Sequence, residues 1–419
     1  MIESLTPAGH PRTESTGRSF GTPPGRSRGL RLCRLLVAAV LLGAAAGVRA
    51  QPPKAAMPVL PVETSDTAVL PPSTPHRFYV FSAFGAGSIG IIDGDDADLA
   101  TIGTVPTTWN GIPSLSCTAD RIYVAETYWS RGNRGARIDL LTVYDGATLK
   151  IEREAVLPGR FIADPRTQQL ATSDDGELGY VYDMVPASAI HVVDLVEGKL
   201  LTSVDVPGCA LAYAYGKRSF ATVCGDGTIG VVTVPPTGTA KAVFSKPFFK
   251  ANEDPVFDNS VVDRTTGEGW LMTYSGHIFP VQLGATAVVG KPWSITVAAG
   301  MPDTGTGVQE LAWRPGGAEM LALHRADRQL YVLMHPGNYW TQKANGTEVW
   351  VLDGERHTLI RRIKLDDPGY GIIVTQDEKP LLFVIGSGWS GTITAYDATT
   401  GEKLRWRTLR GIFGLAPGL

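Results

Sequence analysis

Gly391-Thr-Ile-Thr-Ala-Tyr-Asp-Ala-Thr-Thr-Gly-Glu-Lys-Leu404 is the stretch that decides the fold. Ile393, Ala395 and their neighbours alternate at the period of a strand. Asp397 then opens a turn, Gly401 suits a left-handed backbone, and the chain re-enters a strand at Leu404. Alone, this is one hairpin. Its weight comes from recurrence along the chain.

The frame ends in turn at Asp93, Asp145, Asp194, Thr233, Gln282, Asp353 and Asp397, at intervals of 52, 49, 39, 49, 71 and 44 residues. A second apolar run precedes each copy, as in Arg77-Phe-Tyr-Val-Phe81, Arg121-Ile-Tyr-Val-Ala125 and Pro380-Leu-Leu-Phe-Val-Ile385. Polar turns such as Thr118-Ala-Asp120 and Gln376-Asp-Glu-Lys379 usually stand before that run. Three to four strands per copy, near the period of a propeller blade, predict an all-β, seven-bladed β-propeller over residues 76–419. A pair of β-sandwiches also shows short strands and turns, but does not repeat an Asp-turn frame seven times.

The first 50 residues read as a cleaved signal peptide. Arg26, Arg28, Arg31 and Arg34 precede an apolar run, Leu35 to Val48, that is too short to span a bilayer and ends in Val48-Arg49-Ala50. An exported, periplasmic protein is expected, with no membrane span. Gln51 to Pro75 holds seven prolines and reads as an extended arm outside the propeller. The formal charge of -3 includes seven Arg and two Glu in the first 50 residues; without them 31 basic residues face 39 acidic ones, a balance of -8. That disfavours nucleic acid as a partner.

Three cysteines follow the signal segment: Cys117, Cys209 and Cys224. Cys209 and Cys224 flank a hairpin turning at Gly216-Lys217 and face each other if the ladder is regular, so an oxidising compartment would join them. Cys117 is left as a buried free thiol. The acidic cluster Asp93, Asp95, Asp96 and Asp98 lacks the downstream Glu of a calcium loop and reads as a solvated turn. His324 and His335 flank the strand Leu330 to Met334 without a third metal ligand, and His191 reads as a strand-face residue. Asn345-Gly-Thr347 fits a glycosylation sequon but reads as a turn. No nucleophile elbow, Cys-x-x-Cys or phosphate-binding Gly loop is present. The residues alone describe a propeller without its own catalytic equipment, and no metal site is assigned.

Several unrepeated stretches resemble the heavy subunit of the quinoprotein amine dehydrogenases, the methylamine and aromatic amine types. They are Thr127-Tyr-Trp-Ser-Arg-Gly-Asn-Arg-Gly-Ala-Arg-Ile-Asp139, Phe220-Ala-Thr-Val-Cys-Gly-Asp-Gly227, Glu253-Asp-Pro-Val-Phe257, Thr273-Tyr-Ser-Gly276, Leu321 to Pro336 and Thr375-Gln-Asp-Glu-Lys-Pro380. The middle segments lean to the aromatic type and Gln376 to Pro380 to the methylamine type, so both substrate classes stay open. The resemblance implies two heavy propellers paired with two light subunits, each light subunit carrying the tryptophan tryptophylquinone and the catalytic base. Primary amines would leave as aldehyde and ammonia, and electrons would pass to a small blue-copper protein of the amicyanin or azurin kind. It further implies that a heavy-subunit Phe just after the first strand lines the path to the quinone. Phe84 is the candidate, although the connection Phe84 to Ser88 is shorter than the family's and a plain core or loop aromatic is the alternative. Two rival functions stand beside this one: a non-catalytic binding propeller, and a propeller hydrolase with its own rim site built on Asp93–Asp98.

Overall fold

The computed structural model describes residues 69–82, 87–116, 118–237, 239–386 and 391–418. The signal segment, most of the arm, Phe84 and Cys117 lie outside them. Among the described residues the regular structure is almost entirely strand, with one four-residue helix, Ile295–Ala298, and one 3-10 turn, Thr167–Gln169. Seven antiparallel sheets follow one another along the chain. The protein is a seven-bladed β-propeller.

Blade 2 shows the plan: Trp109–Leu115 innermost, then Arg121–Trp129, Arg137–Asp145 and Ile151–Leu157 outermost. All seven copies of the Asp-turn frame occupy the same place, the third strand from the axis. Blade 1 is assembled from both ends of the described chain. Its innermost strand is Gly414–Pro417, paired antiparallel with Phe78–Phe81 so that Tyr79 faces Ala416. This strand carries no frame of its own, because the frame marks only third strands.

The core lies between blades, which explains why middle strands lose the in/out alternation of a half-buried sheet. Leu381–Ile385 is buried at every position. Leu381, Phe383 and Ile385 join the cluster shared with blade 1, whereas Leu382 and Val384 join the one shared with blades 5 and 6. Period two here selects a neighbour rather than core against solvent. Phe78 of blade 1 stacks on Phe383 of blade 7 with centroids 4.2 Å apart, sealing the ring at its junction. Only the outermost strands, such as Lys199–Asp205, keep exposed residues at every second place.

Antiparallel connections alternate between two rims. On one, five of the frame's Asp side chains accept amide hydrogens from the turn that follows. Asp397 takes two, from Thr399 and Thr400 at 2.7 Å each, and Asp93, Asp145, Asp194 and Asp353 act likewise. Gly401 has φ of 80°, as its turn requires. Asp93 and Asp96 cap their own turn and Asp95 meets His76 at 2.5 Å, so this cluster serves the turn. The opposite rim carries the longer connections, including 130–136, 245–260, 295–311 and 338–345.

Two details differ from the sequence reading. Cys209 and Cys224 do face each other and are bonded, with Cα atoms 3.8 Å apart. The ladder between them is not regular, however. The turn pairs Tyr215 with Ser219, and a bulge between Ala210 and Tyr213, where Leu211 takes φ of 68°, restores the cysteine pairing. The near end of the Pro-rich arm also lies against the propeller rather than free of it. Leu70 donates its amide to Ala147 O at 2.8 Å, and Arg77 donates to Pro71 O at 2.7 Å and Pro72 O at 3.0 Å.

Candidate functional site

The rim of long connections gathers the features that tight turns do not need. Phe161, Val185, Val297, Val308, Leu311 and Trp340 stand exposed on it. Leu311 is 74% exposed and Trp340 54%, far more than packing requires. Beside Trp340 an aromatic group runs through Tyr339 (4.7 Å), Tyr274 (6.3 Å) and, from Tyr274, Phe257 (4.5 Å).

Beneath these rings lies a polar network. Asp254 accepts from the Ser275 amide at 2.9 Å and from its hydroxyl at 2.5 Å, and Tyr339 OH, which donates to Glu253 O, lies 3.1 Å from it. His277 Nδ1 is 2.7 Å from Ser275 Oγ, and its Nε2 is 3.1 Å from Asp303. The composition resembles a Ser-His-Asp triad; the proton positions do not. Ser275 donates its hydrogen to Asp254, which leaves its oxygen to accept from His277 Nδ1. Asp254 and Asp303 raise the His277 pKa against the opposing effect of burial. A histidine that donates to a serine 1% exposed has no base function toward it. The network braces the aromatic edge.

A tunnel of about 330 Å³ follows the axis, lined by the seven inner strands. In its lining, at the break between Ala312–Pro315 and Leu321–His324, Glu319 is buried and accepts the Leu415 amide at 2.8 Å. Burial raises its pKa to about 8, with that hydrogen bond and Arg166 pulling the other way. Arg166 is engaged with Asp258 at 2.6 Å and Asp164 at 2.8 Å. A second cavity, of about 300 Å³, opens at blade 2 on the long-connection rim. It is walled by Asn110, Thr127, Trp129, Arg137, Arg160 and Phe161, among others.

Four of the six stretches singled out in the sequence lie on this rim, whereas Thr375–Pro380 forms a turn on the opposite one and Leu321–Pro336 runs between the two. Glu253–Phe257 and Thr273–Gly276 meet through Asp254 and Ser275, and through the Tyr274 amide donated to Pro255 O at 3.0 Å. Thr127–Asp139 forms the blade 2 hairpin there, and Phe220–Gly227 ends there at the disulfide. The family model for the methylamine dehydrogenase heavy chain matches residues 76–412. The chain belongs to that family. Methylamine dehydrogenase heavy chains of Methylobacillus flagellatus and Methylophilus methylotrophus are 28% and 27% identical to it, over 69% and 70% of this chain and 70% and 71% of theirs. That of Paracoccus versutus is 31% identical over 67% of this chain and 64% of its own.

Other candidates fall into place around that assignment. His324 and His335 sit toward opposite ends of the strand Gln329–Gly337 and cannot share an ion. No group of three or more His, Cys, Asp or Glu side chains is placed to hold a metal among the described residues. His191 is a buried strand residue, with Nδ1 2.8 Å from Ser203 Oγ. No helix among the described residues is long and apolar enough to cross a membrane. Sequence reasoning missed Arg160, Asn110 and Glu319. Each lies in an unremarkable stretch, and only the meeting of distant segments gives it a role.

Proposed function

We propose that this heavy chain is the scaffold and docking subunit of an exported amine dehydrogenase. In this reading the chemistry resides in a partner. A light subunit carries the tryptophan tryptophylquinone and the base that removes the amine's α-proton, and electrons leave to a small blue-copper protein. Primary amines become aldehyde and ammonia, and methylamine is the first substrate to test, because the curated relatives are named for it. The carrying observation is the family match over 76–412, joined to a rim whose exposed Trp340, Leu311 and Phe161 suit a protein partner. The heavy chain's part is to bind, orient and wall off water around a quinone held next to it.

The test is co-expression with a light subunit of this family and secretion to the periplasm. The complex is expected to show a quinone absorption band and amine-dependent reduction of a dye, and the heavy chain alone neither. Amine oxidation by the purified chain, or failure of any light subunit to co-purify, would overturn the reading.

A further inference from the structure

Two arginines are almost wholly buried on the long-connection rim, and they differ. Arg314 has its charge met on every side. Nε donates to Gly337 O at 3.3 Å, Nη1 to Gly305 O at 3.0 Å and Nη2 to Glu310 O at 3.3 Å. Glu310 Oε2 lies at 3.9 Å, and the Tyr339 ring at 5.4 Å. Arg160 is 2% exposed, yet no carboxylate among the described residues lies within ion-pair distance of it. Its Nη1 donates to Thr127 Oγ1 at 3.3 Å and its Nη2 to Asn110 O, while Nε–H has no acceptor. A buried guanidinium with no carboxylate at ion-pair distance and an incomplete set of acceptors is costly unless something supplies them.

Asp139, Glu126 and Asp183 act on Arg160 from beyond ion-pair distance, and each is engaged elsewhere. Asp183 accepts the Phe161 amide at 2.7 Å and faces His191 at 3.5 Å. Asp139 accepts from Arg137 at 2.9 Å and from Thr127 at 2.6 Å. Glu126 accepts from Thr142 and Tyr128, and burial moves its pKa up, toward the neutral acid. Burial lowers the pKa of Arg160 only to about 10, so the group stays charged at neutral pH. The hairpin above adds Arg131 and Arg134 without an acid between Ser130 and Arg137, on a mature chain that is otherwise acidic.

Arg160 also borders open space. It lines the 300 Å³ cavity together with Asn110, whose Oδ1 is likewise buried and unpartnered. Asn110 holds φ of 51°, an uncommon conformation for a residue with a side chain. Its amide presents an acceptor or, rotated, a donor. Trp129 and Phe161 flank Arg137 at 5.5 and 5.8 Å, giving the entrance apolar walls. Two residues that each keep an unmet polar atom, one of them a buried cation, thus line one cavity at the small end of the range for ligand pockets.

We propose that this cavity is a carboxylate-binding site, in which the Arg160 guanidinium and the Asn110 amide turn to hold the carboxylate while Trp129 and Phe161 cover its carbon substituent. The carboxylate comes either from a free small acid or from an acidic side chain or chain end of the partner subunit. Binding to the isolated chain does not depend on the amine dehydrogenase reading, so each can fail without the other.

The test titrates sodium acetate onto the purified chain, with sodium chloride at equal ionic strength as control. Melting temperature and tryptophan fluorescence are followed. Acetate is expected to raise the melting temperature saturably beyond chloride. Arg160→Gln should weaken the apparent affinity about tenfold or more, the effect of losing a charge-assisted hydrogen bond. Asn110→Gly keeps a backbone for which glycine is suited and should weaken it by a smaller factor. It carries the test if Arg160→Gln does not fold. Repetition on the heavy–light complex separates the sources: persistence of acetate binding assigns a free acid, and its loss assigns a carboxylate of the partner. No acetate effect beyond chloride, or equal effects in wild type and both variants, overturns the proposal.

Discussion

The two rims of the propeller are built by different rules. On the tight-turn rim, the side chain that ends a strand also caps the next turn, as Asp397 does for Thr399 and Thr400. That capping lies within a few residues, and longer-range bonds such as His76 to Asp377 tie one turn to the next. On the long-connection rim, the polar network and the second cavity are assembled from distant segments. Asp254 meets Ser275 and Tyr339, and Arg160 meets Asn110 and Thr127. This rim lines a cavity with two residues that keep unmet polar atoms, Arg160 and Asn110, and holds Trp340 in water. The difference teaches that regular repetition marks where stability resides, and departures from it mark where a propeller meets other molecules.

The sharpest challenge to this division comes from the tunnel, which belongs to neither rim. Glu319 has a folded pKa of about 8 against an ordinary 4.5, so the folded state holds the proton more tightly. Stability therefore falls as pH rises from about 4.5 to 8, by on the order of 3–5 kcal/mol. Glu319→Gln should remove most of that slope, read as chemical denaturation midpoints across pH 4.5 to 9. An unchanged slope would move the pH sensitivity to other groups. His277 acts in the same direction: its raised pKa contributes stability that is present below about 6.5 and is lost as pH climbs through the higher folded value.

Next in size is the disulfide, which staples the long-connection end of blade 4. Replacing Cys209 and Cys224 together by Ser should cost about 3 kcal/mol in urea unfolding, since a 15-residue separation is closed. A negligible cost would mean that this rim needs no covalent support. Asp397→Ala on the tight-turn rim should cost about 1 kcal/mol, with partner binding unaffected. The smallest stability effect belongs to Trp340→Ala, under about 0.5 kcal/mol, paired with about a tenfold loss of light-subunit affinity in a pull-down titration. If Asp397→Ala weakened partner binding and Trp340→Ala did not, the two rims would have to exchange roles.

How far each rim could be read in advance follows from the same contrast. The seven blades were legible because Asp, Gly and alternating apolar residues satisfy local demands at short range. Closure by Gly414–Pro417 was not, since an inner strand lacks the turn that defines the frame. The cysteine pair was legible in outcome but not in register, because the bulge at Leu211 leaves no mark in composition. Arg160 in Pro158-Gly159-Arg160-Phe161 reads as any turn arginine. Its burial beside Asn110 depends on segments 50 residues apart. Glu253–Phe257 and Thr127–Asp139, two stretches that carry the resemblance, lie on the long-connection rim, and nothing in them indicates the unmet atoms there.

Pairing of Phe81 with Gly414 has one more consequence. Residues 333 positions apart must find each other before blade 1 has its inner strand. A nascent chain still on the ribosome has no complete ring, and Phe78 and Val80 stay uncovered until the far segment emerges. Gly418→Ala would crowd the place where that late strand must settle, because a methyl group there would collide with the Arg77 carbonyl.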